Sequence, residues 1–552
     1  MKSVSIQHLE AQGEFYRRAI ANFNRLETEE YAPPRLFRDD AYSWPGDWEG
    51  RTLLGWTLLA RSTRRPPEYL EEAIRMLPSR LNEKGFFGPV HPRGTVDEQQ
   101  LSGNSWFLRA LCEYYLWTKD DFALSVIHRL IDNLLLPAVG YYAEYPLDPV
   151  QRSYDGSAIG ELFGKVGAWH LSTDIGCAFI MLDGATQAYL IVPKPELRDL
   201  IDEMIEKFMT ADIIGLSFQT HATLSALRGI LRHYETTGDP RLLEKAIDTF
   251  GVYMQRGMTE NYANYNWFGR PDWTEPCAVV DSFIVAVGLW KHTGNSAYLE
   301  AAHHIYYNGL GYGQRPNGGF GCDVCAGVRD EMLSPKEGLY EAYWCCTMRG
   351  AEGLAKAIDS CYQATGRTIA IPFYESSTAV IAVGDGELKL ATETDYPYEG
   401  VVRIEVMEST VAEPVTLRLF MPSWVERSTV ALSVNGESKG TEIRDGFVSL
   451  AGHFPKGTLI ELSFGIGLRK ERAFGFHTTI EGYSYRHGPL LLGIDSPGSA
   501  LAIGQDERME PLGEGKYRLA PSNLTLSPVH DMIDKPLEES RQNRKQVLFR
   551  DY

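Results

Sequence analysis

The feature that most constrains this chain is a helix–turn–helix theme that recurs through its first two thirds. One copy starts at His221-Ala-Thr-Leu, keeps apolar residues three and four apart, is punctuated by Gly238-Asp239-Pro240, and returns through Leu242 to Phe250. Similar hairpins open near Trp48, Asn104, Asp174, Ala278 and Thr347, with turns such as Thr118-Lys-Asp-Asp and Thr293-Gly-Asn-Ser. Helices this apolar must stack to hide their faces, so six hairpins roughly 50–70 residues apart predict a ring of inner and outer helices. The expected fold of residues 1–366 is therefore an (α/α)6 barrel. The sixth hairpin stops at Thr365-Gly366, and the segment 12–26 is expected to supply its missing outer helix.

From about Arg367 the apolar period changes from near 3.6 to 2, as in Val415-Thr-Leu-Arg-Leu-Phe and Leu459-Ile-Glu-Leu-Ser-Phe, with Asn435-Gly436 as a hairpin turn. This alternation predicts an antiparallel β-sandwich domain over 367–470. Residues 471–552 read as further strands, from His487-Gly-Pro-Leu onward, and a peripheral polar tail at 538–545. The mixture of α and β domains has ordinary globular composition, 44% apolar and 23% charged. With 54 basic against 73 acidic residues, the net charge of −19 argues against nucleic acid as a partner. No run of about 18 apolar residues predicts a membrane span, and the first residues lack an apolar signal core, so a cytoplasmic location is expected.

In such a ring the inner helices all begin at one pole, where long loops converge. Asp47, Asn104, Asp174, His221, Glu275 with Cys277, and Cys345 with Cys346 mark those beginnings. Glu275-Pro276-Cys277 and Cys345-Cys346 offer one oxygen and three sulfurs, enough for tetrahedral Zn²⁺, and the positive helix ends favour thiolate. Buried thiols are the plainer alternative, and Cys322-Asp-Val-Cys325 with Cys345-Cys346 would make a structural zinc knot. Cys112, Cys177 and Cys361 lie on apolar helix faces and read as core. Glu260 stands in an aromatic loop on the same pole, where Tyr262, Tyr265, Trp267 and Trp273 are suited to stacking on a sugar ring. A solvated carboxylate is the bland alternative for Glu260, as are helix caps for His221 and Asp174.

These residues, in this order, resemble glycoside hydrolase family 127, whose members include β-L-arabinofuranosidases. The resemblance rests on His221-Ala-Thr-Leu, Glu260, Glu275-Pro-Cys-Ala and Cys345-Cys346, and in the β region on Leu417-Arg-Leu-Phe-Met-Pro-Ser-Trp424, Val434-Asn-Gly436 and His487-Gly-Pro-Leu490. It implies a retaining exo-glycosidase in which zinc-bound Cys345 attacks the anomeric carbon and Glu260 is the acid/base. Glu275, Cys277 and Cys346 would complete the zinc site, with His221, Asp174, Tyr262 and Trp267 around the substrate, a β-L-arabinofuranoside or related oligosaccharide. The chain departs from the family at Glu49-Gly-Arg-Thr, Asn104-Ser105 and Ile175-Gly-Cys-Ala, all on the substrate side, so reaction type transfers better than sugar identity. Two rivals share the scaffold: a metal-independent sugar epimerase or unsaturated-uronide hydrolase, and a non-catalytic carbohydrate-binding protein with structural zinc. The β domain is open to either glycan binding or a homodimer contact.

Overall fold

The computed structural model describes residues 3–4, 6–37, 43–153, 160–496, 498–504 and 507–550. Met1, Lys2 and Ser5 of the N-terminal stretch therefore lie outside the described residues. The periodic segments form α1 (Glu14–Leu26), α2 (Asp47–Thr63), α3 (Glu98–Thr118), α4 (Asp121–Leu130), α5 (Met181–Ile191), α6 (Pro195–Met209), α7 (Thr220–Thr237), α8 (Pro240–Arg256), α9 (Pro276–Thr293), α10 (Ala297–His304) and α11 (Cys346–Asp359). Helices α2, α3, α5, α7, α9 and α11 are the inner ones. Each packs on the next, and α11 packs back on α2.

Inner helices are buried nearly all round, as α9 is from Pro276 to Trp290, whereas outer helices such as α8 bury one stripe. Close approach is built in. A Cβ on Gly50 of α2 would fall 2.2 Å from the Phe107 amide nitrogen of α3, so only glycine permits that crossing. The N-terminal helix α1 packs against both α11 and α2, closing the sixth hairpin as expected. One boundary differs: the second inner helix starts at Glu98, where Asp97 accepts from the Gln100 amide, and Asn104 lies a turn and a half inside it.

The β region forms two sheets. One runs Glu437–Lys439, Glu426–Val434, Leu459–Gly465, Val401–Ser409, Gly386–Thr394 and Ser377–Val383, with Ile6–Ala11 added at its edge. In Ser377–Val383 alternate residues are buried, the mark of a sheet with one core face. Asn435 and Gly436 both have positive φ, as a two-residue hairpin requires. The other sheet contains one parallel pair, Thr368–Ile371 beside Val415–Phe420.

A third assembly joins strands from 468–550 to Asp323–Val324 and Met332–Pro335 of the long barrel loop. Here the 538–545 segment departs from expectation. Lys545 is fully buried, donates to Ser527, Pro528 and Asp531, and pairs through its backbone with Leu333 and Asp495. Its ammonium is tolerated inside because each proton has an acceptor. Among the described residues no helix is long and apolar enough to cross a membrane.

Candidate active site

Three inner helices present their N-cap residues to one cavity of about 570 Å³: Gln219 before α7, Glu275 before α9 and Cys345 before α11. Asp47 and Arg51 of α2, Asp174, and His221 of α7 also line it, as do Asn266, Trp273, Lys336 and Trp344 from the two long loops. The convergence at one pole expected from the hairpin pattern is thus present.

The floor is a cysteine cluster. Cys277 Sγ lies 3.3 Å from Cys345 Sγ and 3.7 Å from Cys346 Sγ. Cys277 and Cys346 are buried, and Cys345 alone of the three is partly exposed, toward the cavity. Donor atoms of His221 and Glu275 fall within 4.8 Å of each other and of Cys277. Sulfurs bound tetrahedrally at a zinc–sulfur distance of about 2.3 Å stand about 3.8 Å apart, so the observed spacing and donor types fit a zinc ion. Cys322 lines the cavity and Cys325 does not, and among the described residues the donor groups that lie within 4.8 Å of one another include neither. Cys112, Cys177 and Cys361 are buried core thiols.

Arg51 is the cation of the floor. Its Nη1 donates to Cys277 Sγ at 3.1 Å and to Cys345 Sγ at 3.3 Å, while the guanidinium pairs with Asp47 at 2.8 Å and lies 4.8 Å over the Trp106 ring. Three thiolates and a carboxylate around Zn²⁺ would carry about −2, and Arg51 offsets part of that excess. Donation from the Cys277 and Cys346 thiols, aided by Arg51 and His221, holds the Cys345 thiol well below its usual range. Its partners go the other way: burial and the neighbouring Cys345 sulfur push Cys277 well up.

The carboxyls are under-solvated. Burial, then the Cys345 charge, pushes Asp174 up to about 7 and Glu275 well above the ordinary carboxylate range. Gln219 Nε2 lies 3.4 Å from both, and Asp174 Oδ1 is buried without a hydrogen-bond partner. His221 stacks on Trp106 with ring centroids 5.6 Å apart, and its Nδ1 lies 2.8 Å from Asp281. Although burial opposes it, Arg349 and Arg228 keep Asp281 ionised, so Nδ1 donates. Burial also lowers the His221 pKa, leaving a neutral ring whose Nε2 lone pair has no partner.

Other expected site residues are placed elsewhere. Glu260 is buried, but its carboxylate accepts from the Phe474 amide at 3.0 Å, the Gly475 amide at 2.7 Å and the Thr478 hydroxyl. It fastens the barrel to the C-terminal assembly and is not among the described residues lining the cavity. Tyr262 is engaged there too, stacked on His304 at 4.5 Å with Arg486 4.8 Å from its ring. Trp267 stands edge-on to Trp273 at 5.3 Å, and of the two only Trp273 is among the described residues lining the cavity. Gln219, Arg51 and Asn266 escape motif reasoning. A usable signal existed for two: Gln219 occupies the same N-cap position as Glu275 and Cys345, and Arg51 follows Asp47 by one helical turn.

Comparison with known proteins agrees with this architecture. Residues 368–466 match the family profile described as beta-L-arabinofuranosidase, GH127 middle domain. No curated protein matches the chain by sequence. Among solved structures, a GH127 beta-arabinofuranosidase superposes with TM-score 0.73 at 14% identity, covering 99% of this chain and 97% of its own. A protein described as a glycoside hydrolase gives 0.74 at 15%, covering 100% and 97%. A GH127 beta-L-arabinofuranosidase from Geobacillus stearothermophilus T6 gives 0.71 at 13%, covering 99% and 100%. The chain therefore resembles glycoside hydrolase family 127 in one β domain by sequence and over its whole length by fold, as a divergent relative.

Proposed function

We propose that the protein is a retaining exo-glycoside hydrolase acting on a β-L-arabinofuranoside or related sugar, with Cys345 as nucleophile and Asp174 as acid/base. The observation that carries this is the exposure of Cys345 alone among three clustered cysteines, in a cavity it shares with a buried carboxyl of raised proton affinity. Glu275, Cys277, Cys345 and Cys346 would hold a zinc ion, which when bound supplies positive charge that keeps the Cys345 sulfur ionised.

In the first step the Cys345 sulfur forms a bond to the anomeric carbon as the glycosidic C–O bond breaks. The leaving oxygen takes a proton from Asp174, whose position near 7 keeps it protonated in mildly acidic solution. The product is a thioglycoside on Cys345 and an Asp174 carboxylate. That carboxylate then removes a proton from water, whose oxygen attacks the same carbon while the C–S bond breaks and returns the thiolate. Two displacements at one carbon retain configuration. Neutral His221, with Nε2 open, is suited to accept from a sugar hydroxyl, and Trp273 and Trp344 give the wall its apolar planes.

We assign to Asp174 the proton role that the family resemblance gives to Glu260, because Asp174 lines the cavity with Cys345 whereas the Glu260 carboxylate is engaged by Phe474, Gly475 and Thr478. A leaving-group series separates the two. In Asp174→Asn, nitrophenyl arabinofuranosides with poor leaving groups should slow by about 10²–10³-fold, and an activated dinitrophenyl substrate far less. Equal slowing of both substrates would refute the assignment.

A further inference from the structure

A second cluster of potential metal ligands lies outside the cavity. His91, Asp97 and His170 bring three donor atoms within 4.8 Å of one another. Three separate elements supply them: the loop before α3, the N-cap of α3, and the strand Trp169–Ser172. The last two are locked in register, because Val96–Asp97 pairs in parallel with Trp169–His170, and Trp169 is buried beside the site. His91 is held close to both, its ring edge-on to that of His170 at 5.4 Å.

The donors converge without satisfying one another. Asp97 Oδ2 is 3.6 Å from His91 Nε2 and 3.7 Å from His170 Nδ1, too long for hydrogen bonds. His91 Nε2 is nonetheless shielded from solvent and has no partner. Asp97 is more than nine-tenths buried, and its other oxygen, Oδ1, is committed to capping α3 through the Gln100 amide at 2.9 Å. Thus one donor atom of each residue lies within 4.8 Å of the other two with no hydrogen bond among them. Lys165, opposite His170 in the ladder, is solvent-exposed.

We infer that His91, Asp97 and His170 form a divalent transition-metal site, with two imidazole nitrogens and one carboxylate oxygen as ligands. Two imidazoles select a zinc-like or cobalt-like ion over magnesium or calcium, and solvent would fill the remaining positions. Bound metal would pin the loop at His91 to the strand pair 162–172, two residues before cavity-lining Asp174. The inference does not depend on the proposed glycosidase activity.

The test is metal stoichiometry on the full chain. Metal-free protein is reloaded with zinc, desalted and assayed by elemental analysis, comparing wild type with His91→Gln/His170→Gln. Loss of one zinc equivalent per chain in the variant supports the site, whatever the total; identical stoichiometry overturns it. Cobalt identifies which site is lost. The variant should keep any intense near-ultraviolet thiolate-to-cobalt band and lose only weak visible bands, whereas loss of the intense band would contradict the assignment. Asp97→Asn guards against misfolding, since asparagine caps a helix as well as aspartate. It should weaken zinc binding at least tenfold with circular dichroism unchanged, and unaltered affinity would count against the site.

Discussion

Glu260 and Asp174 are both buried carboxyls of the barrel domain, yet their surroundings differ in kind. Glu260 is met by two backbone amides and a hydroxyl from residues 474–478, contacts that join two parts of the molecule. Asp174 faces a cavity with one oxygen unpartnered, a glutamine at 3.4 Å and a thiolate-bearing floor. Burial alone does not make an acid catalyst. A carboxyl must also reach the cavity with an oxygen free to meet a ligand.

The contrast can be broken most strongly at the proposed nucleophile. Cys345→Ala should lower kcat/KM by on the order of 10⁴-fold, as removal of a nucleophile does in other enzymes, with the fold intact by circular dichroism. Asp174→Asn should lower it by about 10²–10³-fold, with poor leaving groups affected far more than activated ones. A variant that keeps normal turnover at either position would dissolve the assigned pair.

The pH dependence sharpens the comparison further. With Asp174 near 7, kcat/KM should fall as pH rises through about 7, because the proton donor is lost, and this limb should vanish in Asp174→Asn. Stability carries the matching sign. A carboxyl whose folded pKa is raised from 3.8 to about 7 favours folding at low pH, and that contribution is lost as pH rises through this window. Thermal melts should therefore show Asp174→Asn gaining on wild type from about pH 4 to about pH 8.

Glu260→Gln is the smallest expected effect on catalysis. Exchanging one charged acceptor for an amide should cost about 1–3 kcal/mol of stability in denaturant unfolding, with kcat/KM within about threefold. If that variant instead lost activity as deeply as Asp174→Asn while keeping its stability, the two carboxyls would have to exchange roles.

Much of this was legible in the chain itself. The α period, the turn Asn435-Gly436, the closure of the ring by residues 14–26, and the clustering of Cys277, Cys345 and Cys346, with Glu275 near Cys277, follow from local pattern plus one topological rule. Contacts between distant segments were not legible. Nothing near Glu260 in sequence announces partners 214 residues or more away, and Ile6–Ala11 joins a sheet whose next strand begins at Ser377. Tyr262 and Trp267 have the residue types of a sugar platform, but side-chain chemistry alone does not fix which face of a loop meets the cavity and which meets His304 or Trp273. Lys545 reads as tail by polarity and is core because three acceptors surround it.

The most direct test is to quench the enzyme during turnover of a slow arabinofuranoside and map the adduct by peptide mass spectrometry. A pentosyl group on Cys345, with the released sugar retaining its anomeric configuration, is the predicted result. Inverted product with no adduct, or an adduct on a carboxylate, would contradict the account.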